Sequence, residues 1–301
     1  MPENKPEIIP TNTACSVALC TYNGERYLAE LLDSLLNQTH VPEELVVVDD
    51  CSTDRTVKIL QDYSSKFQDF KLIIQEKNTG PIEAFRLAIQ HTSHTRIFLA
   101  DQDDSWHKQK IEAMLQKSFG HQEHLPLLVF SDLEVVNEEG EFLHSSFWKM
   151  AGLNPHQTTF QSLMFGNTVT GCASMINAGM RELLKTIPKG VLMHDHWIAL
   201  IAYGLGHVEI VNESLVSYRT HANSVTSKDS VDLFWKLKTQ WKQFWKNSDS
   251  FLSAEIQQMI QFEKMFGSYL SSENLAYLKD FVEMESHSFF QKKLKSLKKY
   301  S

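Results

Sequence analysis

Apolar residues recur along this chain in two forms, short unbroken runs and stripes at helical spacing, and the two alternate over the first 120 positions. "CSVALC" (15–20), "ELVVVDD" (44–50), "KLIIQE" (71–76) and "RIFLAD" (96–101) are the runs, and they read as buried strands. A helical stripe follows each. "ERYLAELLDSLLNQ" (25–38) sets Leu28, Leu31, Leu32, Leu35 and Leu36 on one face. "STDRTVKILQDYSSKF" (52–67) opens on cap-type residues, and "TGPIEAFRLAIQHT" (79–92) tolerates Pro81 in its first turn. "HKQKIEAMLQKSF" (107–119) closes the series. This alternation predicts an α/β domain around a mostly parallel sheet. Ligands of such sheets bind beyond the carboxyl ends of the strands, and polar and acidic residues collect at those ends here.

After residue 120 the strict alternation stops. "LLVFSDLEVV" (127–136) is strand-like, and "GNTVTGCASMI" (166–176) is a loop running into a strand. "MHDHWIALIAYGLG" (193–206) is a helix with an acid near its start, followed by "HVEIVNESLVSYRTH". From Ser227 the texture turns helical, aromatic and lysine-rich. The expected division is a tail over 1–13, a main domain over 14–227 and a C-terminal helical extension over 228–301. "VDLFWKLKTQWKQFWK" (231–246) carries Phe234, Leu237, Trp241, Phe244 and Trp245 on one stripe flanked by lysines. That stripe suits packing on the main domain or a second subunit, or contact with an anionic membrane. "IQQMIQFEKMFGSYL" and "SFFQKKLKSLKKY" suit a small helical subdomain or the arm of a homodimer.

Charge sharpens the division. The net charge is −8, but residues 228–301 hold twelve lysines against nine acids, a net of +3, which leaves −11 on the rest. An acidic main body argues against nucleic acid as a partner, since phosphate recognition needs excess Lys and Arg. It is compatible with a nucleotide bound through a divalent cation. Cys15, Cys20, Cys51 and Cys172 show no CxxC pair or zinc-type spacing and read as reduced thiols. The N-terminal residues lack a signal pattern, and no stretch approaches the ~20 apolar residues of a spanning helix. The expectation is a cytoplasmic protein, with peripheral contact at the inner face of the cell membrane in view.

Four polar clusters carry candidate chemistry. "ADQDDSW" (100–106) places Asp101, Asp103 and Asp104 directly after a buried run. Crowded carboxylates repel and raise one another's pKa unless a cation sits among them, and two acids one residue apart can both reach Mg²⁺ or Mn²⁺. "VVVDDCSTD" (46–54) ends a strand on Asp49 and Asp50; a buried acid pair is costly, so at least one should face a cleft. "CTYNGERY" (20–27) offers groups for a base or ribose, or simply a helix cap at Asn23. "MHDHW" (193–197) puts Asp195 at a helix start, as general base or as cap, and "YRTHANSV" (218–225) supplies Arg219 and His221.

In order and type these pieces resemble the family 2 glycosyltransferases of the GT-A fold, over roughly residues 15–225. The "DQDDSW", "SDLEVVNEEG", "HDHW" and "YRTH" forms look most like bacterial rhamnosyltransferase-like enzymes of surface polysaccharide assembly. The resemblance implies a Rossmann-like GT-A domain, a UDP- or dTDP-linked sugar donor and inversion at the anomeric carbon. It implies that Thr21, Tyr22, Asn23 and Glu25 line the nucleoside pocket, that Asp50 meets the pyrimidine, and that Asn78, Gly80 and Arg86 help hold the donor. Asp101 and Asp103 correspond to the D-x-D pair for Mn²⁺ or Mg²⁺, with His221 a further metal or diphosphate contact. Asp195 stands at the place of the catalytic aspartate. His194 replaces the glutamate that commonly precedes that residue, and "WHKQK" lacks the usual proline after the metal motif.

The expected activity is transfer of rhamnose, glucose or galactose to a hydroxyl of a glycan, lipid-linked or glycoprotein acceptor. The rival classes are a sugar-nucleotide-forming nucleotidyltransferase and a non-catalytic nucleotide- or phosphate-binding regulator. The former wants a basic glycine-rich phosphate loop after the first strand, and "CTYNGERY" is a poor one.

Overall fold

The computed structural model of the protein describes residues 14–221 and 252–286. The stripe at 231–246, the segment "SFFQKKLKSLKKY" and the N-terminal tail lie outside them. The predicted alternation is present: β1 (Cys15–Thr21), α1 (Leu28–Leu36), β2 (Glu44–Asp49), α2 (Thr56–Tyr63), β3 (Asp69–Ile74), α3 (Pro81–Gln90), β4 (Arg96–Asp101) and α4 (Lys110–Ser118). β1, β2, β3 and β4 are parallel neighbours in the order β3-β2-β1-β4. Parallel strands covered on both faces need continuous apolar runs. Every residue of β2 is accordingly buried.

The second half extends the same sheet by other means. β5 (Ser105–Trp106) is only two residues long; β6 (Leu127–Val136), β7 (Phe142–His144), β8 (Ser174–Asn177) and β9 (His207–Arg219) follow. From β4 the order continues β8-β6-β9-β5, with β7 on the distal end of β6. β8 runs antiparallel between β4 and β6, while β6 and β9 are parallel. The helices here are α5 (Phe147–Ala151), α6 (Phe160–Leu163), α7 (Ala178–Leu183), α8 (His194–Leu205), α9 (Ser253–Phe266) and α10 (Ser272–Val282).

Two hydrophobic layers sandwich the sheet. One face packs Leu28, Leu31, Leu32 and Leu35 of α1, Leu60 of α2, and Ile111 and Met114 of α4. The other takes Phe85 of α3, Phe160 of α6, Trp197 and Ile201 of α8, Met259 and Phe262 of α9, and Phe281 of α10. The C-terminal helices thus share the core of the main domain: Phe262 meets Trp197 edge-on at 5.3 Å and Phe160 at 5.4 Å. No helix among the described residues is long and apolar enough to cross a membrane.

Candidate active site

Parallel register brings the carboxyl ends of three strands together. Thr21 pairs with Asp49 across β1 and β2, and Cys20 pairs with Asp101 across β1 and β4. The loops after these strands form one rim. Asn23 and Cys51 both adopt left-handed backbone, with φ of 48° and 70°. Asn23 does not cap α1, whose cap position is Tyr27. Its Oδ1 instead accepts from Thr53 N at 2.8 Å, and its own N donates to Ser52 Oγ at 2.8 Å, lashing the two loops together. Glu25 accepts from Arg55 N at 2.9 Å across the same gap. Gly24 leaves room for the Gln102 amide, since a Cβ there would lie 2.1 Å from Oε1 of Gln102 and displace it. That oxygen accepts from Tyr22 N at 2.8 Å, while Gln102 Nε2 donates back to Tyr22 O at 2.9 Å. Tyr22 is left 47% exposed at the rim.

Asp49 and Asp50 are buried, and both are satisfied within the protein. Asp49 accepts from Thr21 Oγ1, Ser52 N and Ser52 Oγ at 2.9, 2.9 and 2.6 Å. Asp50 accepts from Thr79 N, Gln75 Nε2 and Gly80 N at 2.7, 2.7 and 2.8 Å. Asp50 thereby fixes the turn into α3, where Gly80 has φ of +84°. Asn78 is exposed beside that turn. Arg86 is paired with Glu83 at 2.6 Å and donates to Lys185 O at 3.2 Å.

The acidic cluster sits on a buried lysine that its sequence gave no reason to single out. Asp104 and Lys110 are fully buried. Lys110 Nζ donates to Cys172 O at 2.5 Å and lies 3.3 Å from the Trp106 ring centroid. Burial pushes the Lys110 ammonium down to about 7, while the neighbouring Asp104 and Asp101 favour its charge. Burial, and then the charge of Asp103, raises the Asp101 and Asp104 carboxyls. Asp104 Oδ1 accepts from Arg219 N at 3.1 Å, whereas its Oδ2 is buried with no partner among the described residues. Ligand atoms of Asp101, Asp104 and Cys172 converge within 4.8 Å. The Cys172 thiol is held protonated by burial, so the oxygens are the donors in this group, as a hard divalent cation requires. Asp103 stands next to them with His221 Nε2 at 2.8 Å from its Oδ2. The cluster therefore fits Mg²⁺ or Mn²⁺, with an orphaned buried oxygen already in place.

Arg219 fastens this loop from behind. It is 3% exposed. Nε donates to Asp103 O at 3.0 Å, one terminal nitrogen to Glu138 O at 3.1 Å and the other to Glu30 Oε2 at 2.6 Å. Its guanidinium also lies 4.8 Å from the Tyr27 ring, which faces His221 at 5.2 Å. β5 adds a second tie by pairing with Val216 and Ser217 of β9.

Asp195 is the second residue of α8, whose cap position is Met193. Its carboxylate accepts from His196 N at 2.6 Å and Gly171 N at 3.2 Å. Burial pushes it up to about 6, those backbone hydrogens opposing the rise. After burial and the charge of Asp103, the charge of Asp195 also contributes to the raised Asp101 carboxyl. The short turn Gly171–Ala173 joins them: Gly171 N meets Asp195, and Cys172 O meets the lysine under Asp101 and Asp104. A Cβ on Gly171 would come 2.8 Å from His194 Nε2. His194 stacks on Phe85 at 4.0 Å and, by burial, is held neutral.

Sequence comparison matches residues 16–187 to the model of glycosyl transferase family 2. A Bacillus subtilis protein named for teichuronic acid biosynthesis, the glycosyltransferase TuaG, is 27% identical over 223 residues, covering 70% of this chain and 81% of its own. Staphylococcus aureus TarS, a poly(ribitol-phosphate) β-N-acetylglucosaminyltransferase, is 34% identical over 99 residues, 32% of this chain and 17% of TarS. Among solved structures, S. aureus TarS 1–349 in complex with UDP-GlcNAc superposes with a TM-score of 0.58 at 18% identity, covering 95% of this chain and 91% of that one. The fold is thus the GT-A fold.

Proposed function

The chain belongs to glycosyl transferase family 2 and is a glycosyltransferase, and we propose that it inverts the anomeric centre while moving a sugar from a UDP- or dTDP-linked donor to an acceptor hydroxyl. The acceptor class is a glycan, lipid-linked or glycoprotein precursor of a bacterial surface polymer, a reading supported by the names of TuaG and TarS. UDP-linked donors come first, because a TarS structure holds UDP-GlcNAc; N-acetylglucosamine joins rhamnose, glucose and galactose as candidate sugars.

The observation that carries this reading is the short turn Gly171–Ala173, whose Gly171 N–H binds Asp195 while the next carbonyl, that of Cys172, holds the lysine beside Asp101 and Asp104. Tyr22, Asn23, Glu25, Asn78 and Gly80 would line the rim where the nucleoside would lie, on the frame that Asp50 holds, with Thr21 buried beneath it against Asp49. Asp101 and Asp103, with Asp104 and its unpartnered oxygen in the same cluster and His221 alongside, would hold Mn²⁺ or Mg²⁺, which would supply positive charge for the departing diphosphate. Arg219 contributes by anchoring the Asp103 loop and Arg86 by bracing α3, rather than through direct phosphate pairing. Asp195 accepts the proton of the acceptor hydroxyl as that oxygen attacks the anomeric carbon from the face opposite the diphosphate. The Gly171 and His196 amides keep its carboxylate aimed and ionised. One displacement gives inversion.

A thermal-shift panel of UDP- and dTDP-sugars with Mn²⁺ identifies the donor, since a ligand that binds the folded state raises the melting temperature. Asp195→Asn is then expected to bind that donor with near-native affinity while transfer drops by about 10²–10⁴-fold. Near-native turnover in this variant contradicts the assignment.

A further inference from the structure

α9 lies well beyond the family-matched residues, yet one of its side chains reaches the helix that carries Asp195. Gln258 is fully buried. Its Oε1 accepts from Leu192 N at 2.8 Å, and its Nε2 lies 3.2 Å from Nδ1 of His196. The other imidazole nitrogen, Nε2, lies 2.7 Å from Leu163 O. Donor chemistry fixes every direction in this relay. A backbone N–H can only donate, so the amide oxygen must face Leu192 and the amide nitrogen must face His196. A carbonyl can only accept, so His196 carries its proton on Nε2 and receives the Gln258 hydrogen on Nδ1. The ring is therefore neutral, in keeping with burial, which lowers its pKa.

The relay brackets Asp195. Leu192 and His196 stand on either side of it, and His196 N also donates to Asp195 Oδ1 at 2.6 Å. α8 has no side-chain cap of its own at Met193. The direction in which α8 starts is consequently set by α9 through Leu192, and by His196, which touches α9 with its ring and Asp195 with its amide. Removing the Gln258 amide would leave the buried His196 Nδ1 without a partner and take from Leu192 N–H the acceptor that ties it to α9.

We infer that Gln258, acting through Leu192 and His196, is a positioning residue for the Asp195 carboxylate, which makes the C-terminal helix part of the active-site assembly. The importance of that positioning rests on the reading of Asp195 as base, but the positioning itself can be measured separately. The amide proton of Gly171, which donates to Asp195 Oδ2, reports the state of that carboxylate by NMR in the full chain without metal or nucleotide. Asp101, Asp103 and Lys110 also titrate nearby, so Asp195→Asn serves as the control that identifies the Asp195 signal.

In the native chain the Gly171 resonance is expected to titrate near the value of about 6 set by burial, and to lose that step in Asp195→Asn. Gln258→Met, similar in length and without hydrogen-bonding groups, is expected to move the midpoint upward by about half a pH unit or more, because the amides that favour the ionised form are pulled off line. His196→Phe, which breaks the relay from the other side, should shift it in the same direction. A Gly171 titration unchanged in both variants overturns the inference, whatever their melting temperatures. If Asp195→Asn turns over normally, the base assignment fails instead, and the positioning result stands apart from it.

Discussion

As the proposed base, Asp195 can take a proton only when ionised, and burial raises its carboxyl to about 6. Below that value the carboxyl is protonated, and above it the carboxylate is free to accept. Transfer rate under donor saturation should therefore climb as pH rises through about 6 and level off above it; a rate flat from pH ~5 to ~8 contradicts the role. At this scale the sequence was partly legible. The acids at strand ends announce a site because charge at the end of an apolar run needs a reason. What backbone hydrogens do for such acids cannot be seen there: Asp49 and Asp50 looked too costly to bury without a cleft, yet Ser52 N, Thr79 N and Gly80 N satisfy them. Lys110 was equally hidden. A lysine near a helix start is ordinary in a sequence, and only the carbonyl of Cys172, distant in the chain, reveals that this one is buried.

Among elements, the acidic loop after β4 depends on β9. Arg219, the last residue of β9, meets Asp104, Asp103, Glu138 and Glu30 at once. Arg219→Met retains the apolar stem and the bond from its backbone N while deleting the guanidinium. The expected loss is about 1.5–3 kcal/mol, the range for hydrogen bonds made by a charged group, with Mn²⁺ affinity weakened about tenfold or more as Asp103 loosens. Urea unfolding and calorimetry with Mn²⁺ check the two parts; native Mn²⁺ affinity would show that the clamp does not shape the site. Alternation of apolar runs and helical stripes identified the β1–α4 half because each element is long enough to show its period. β5 was invisible for the opposite reason, as two residues carry no period, and it is defined only by its pairing with β9.

At the scale of the molecule, the sheet is closed on one face by helices distant in sequence. Phe262 on α9 is fully buried against Trp197, next but one to the catalytic candidate. Phe262→Ala should cost about 3–5 kcal/mol, read as a lower urea midpoint; a change below 1 kcal/mol would show that α9 is not part of this core. In the sequence, 256–270 suits a small helical subdomain or a dimer arm, and nothing there shows that its apolar residues join the core of the main domain. A single cleft should carry the Asp101–Asp103 cluster on one wall and Asp195 on the other. A crystal of the full chain grown with Mn²⁺ and UDP tests it directly. The predicted result is an anomalous Mn²⁺ peak bonded to carboxylate oxygens of that cluster and to the diphosphate, with Asp195 facing the diphosphate across open space. Nucleotide and metal bound elsewhere, or Asp195 walled into a different cavity, would contradict the account.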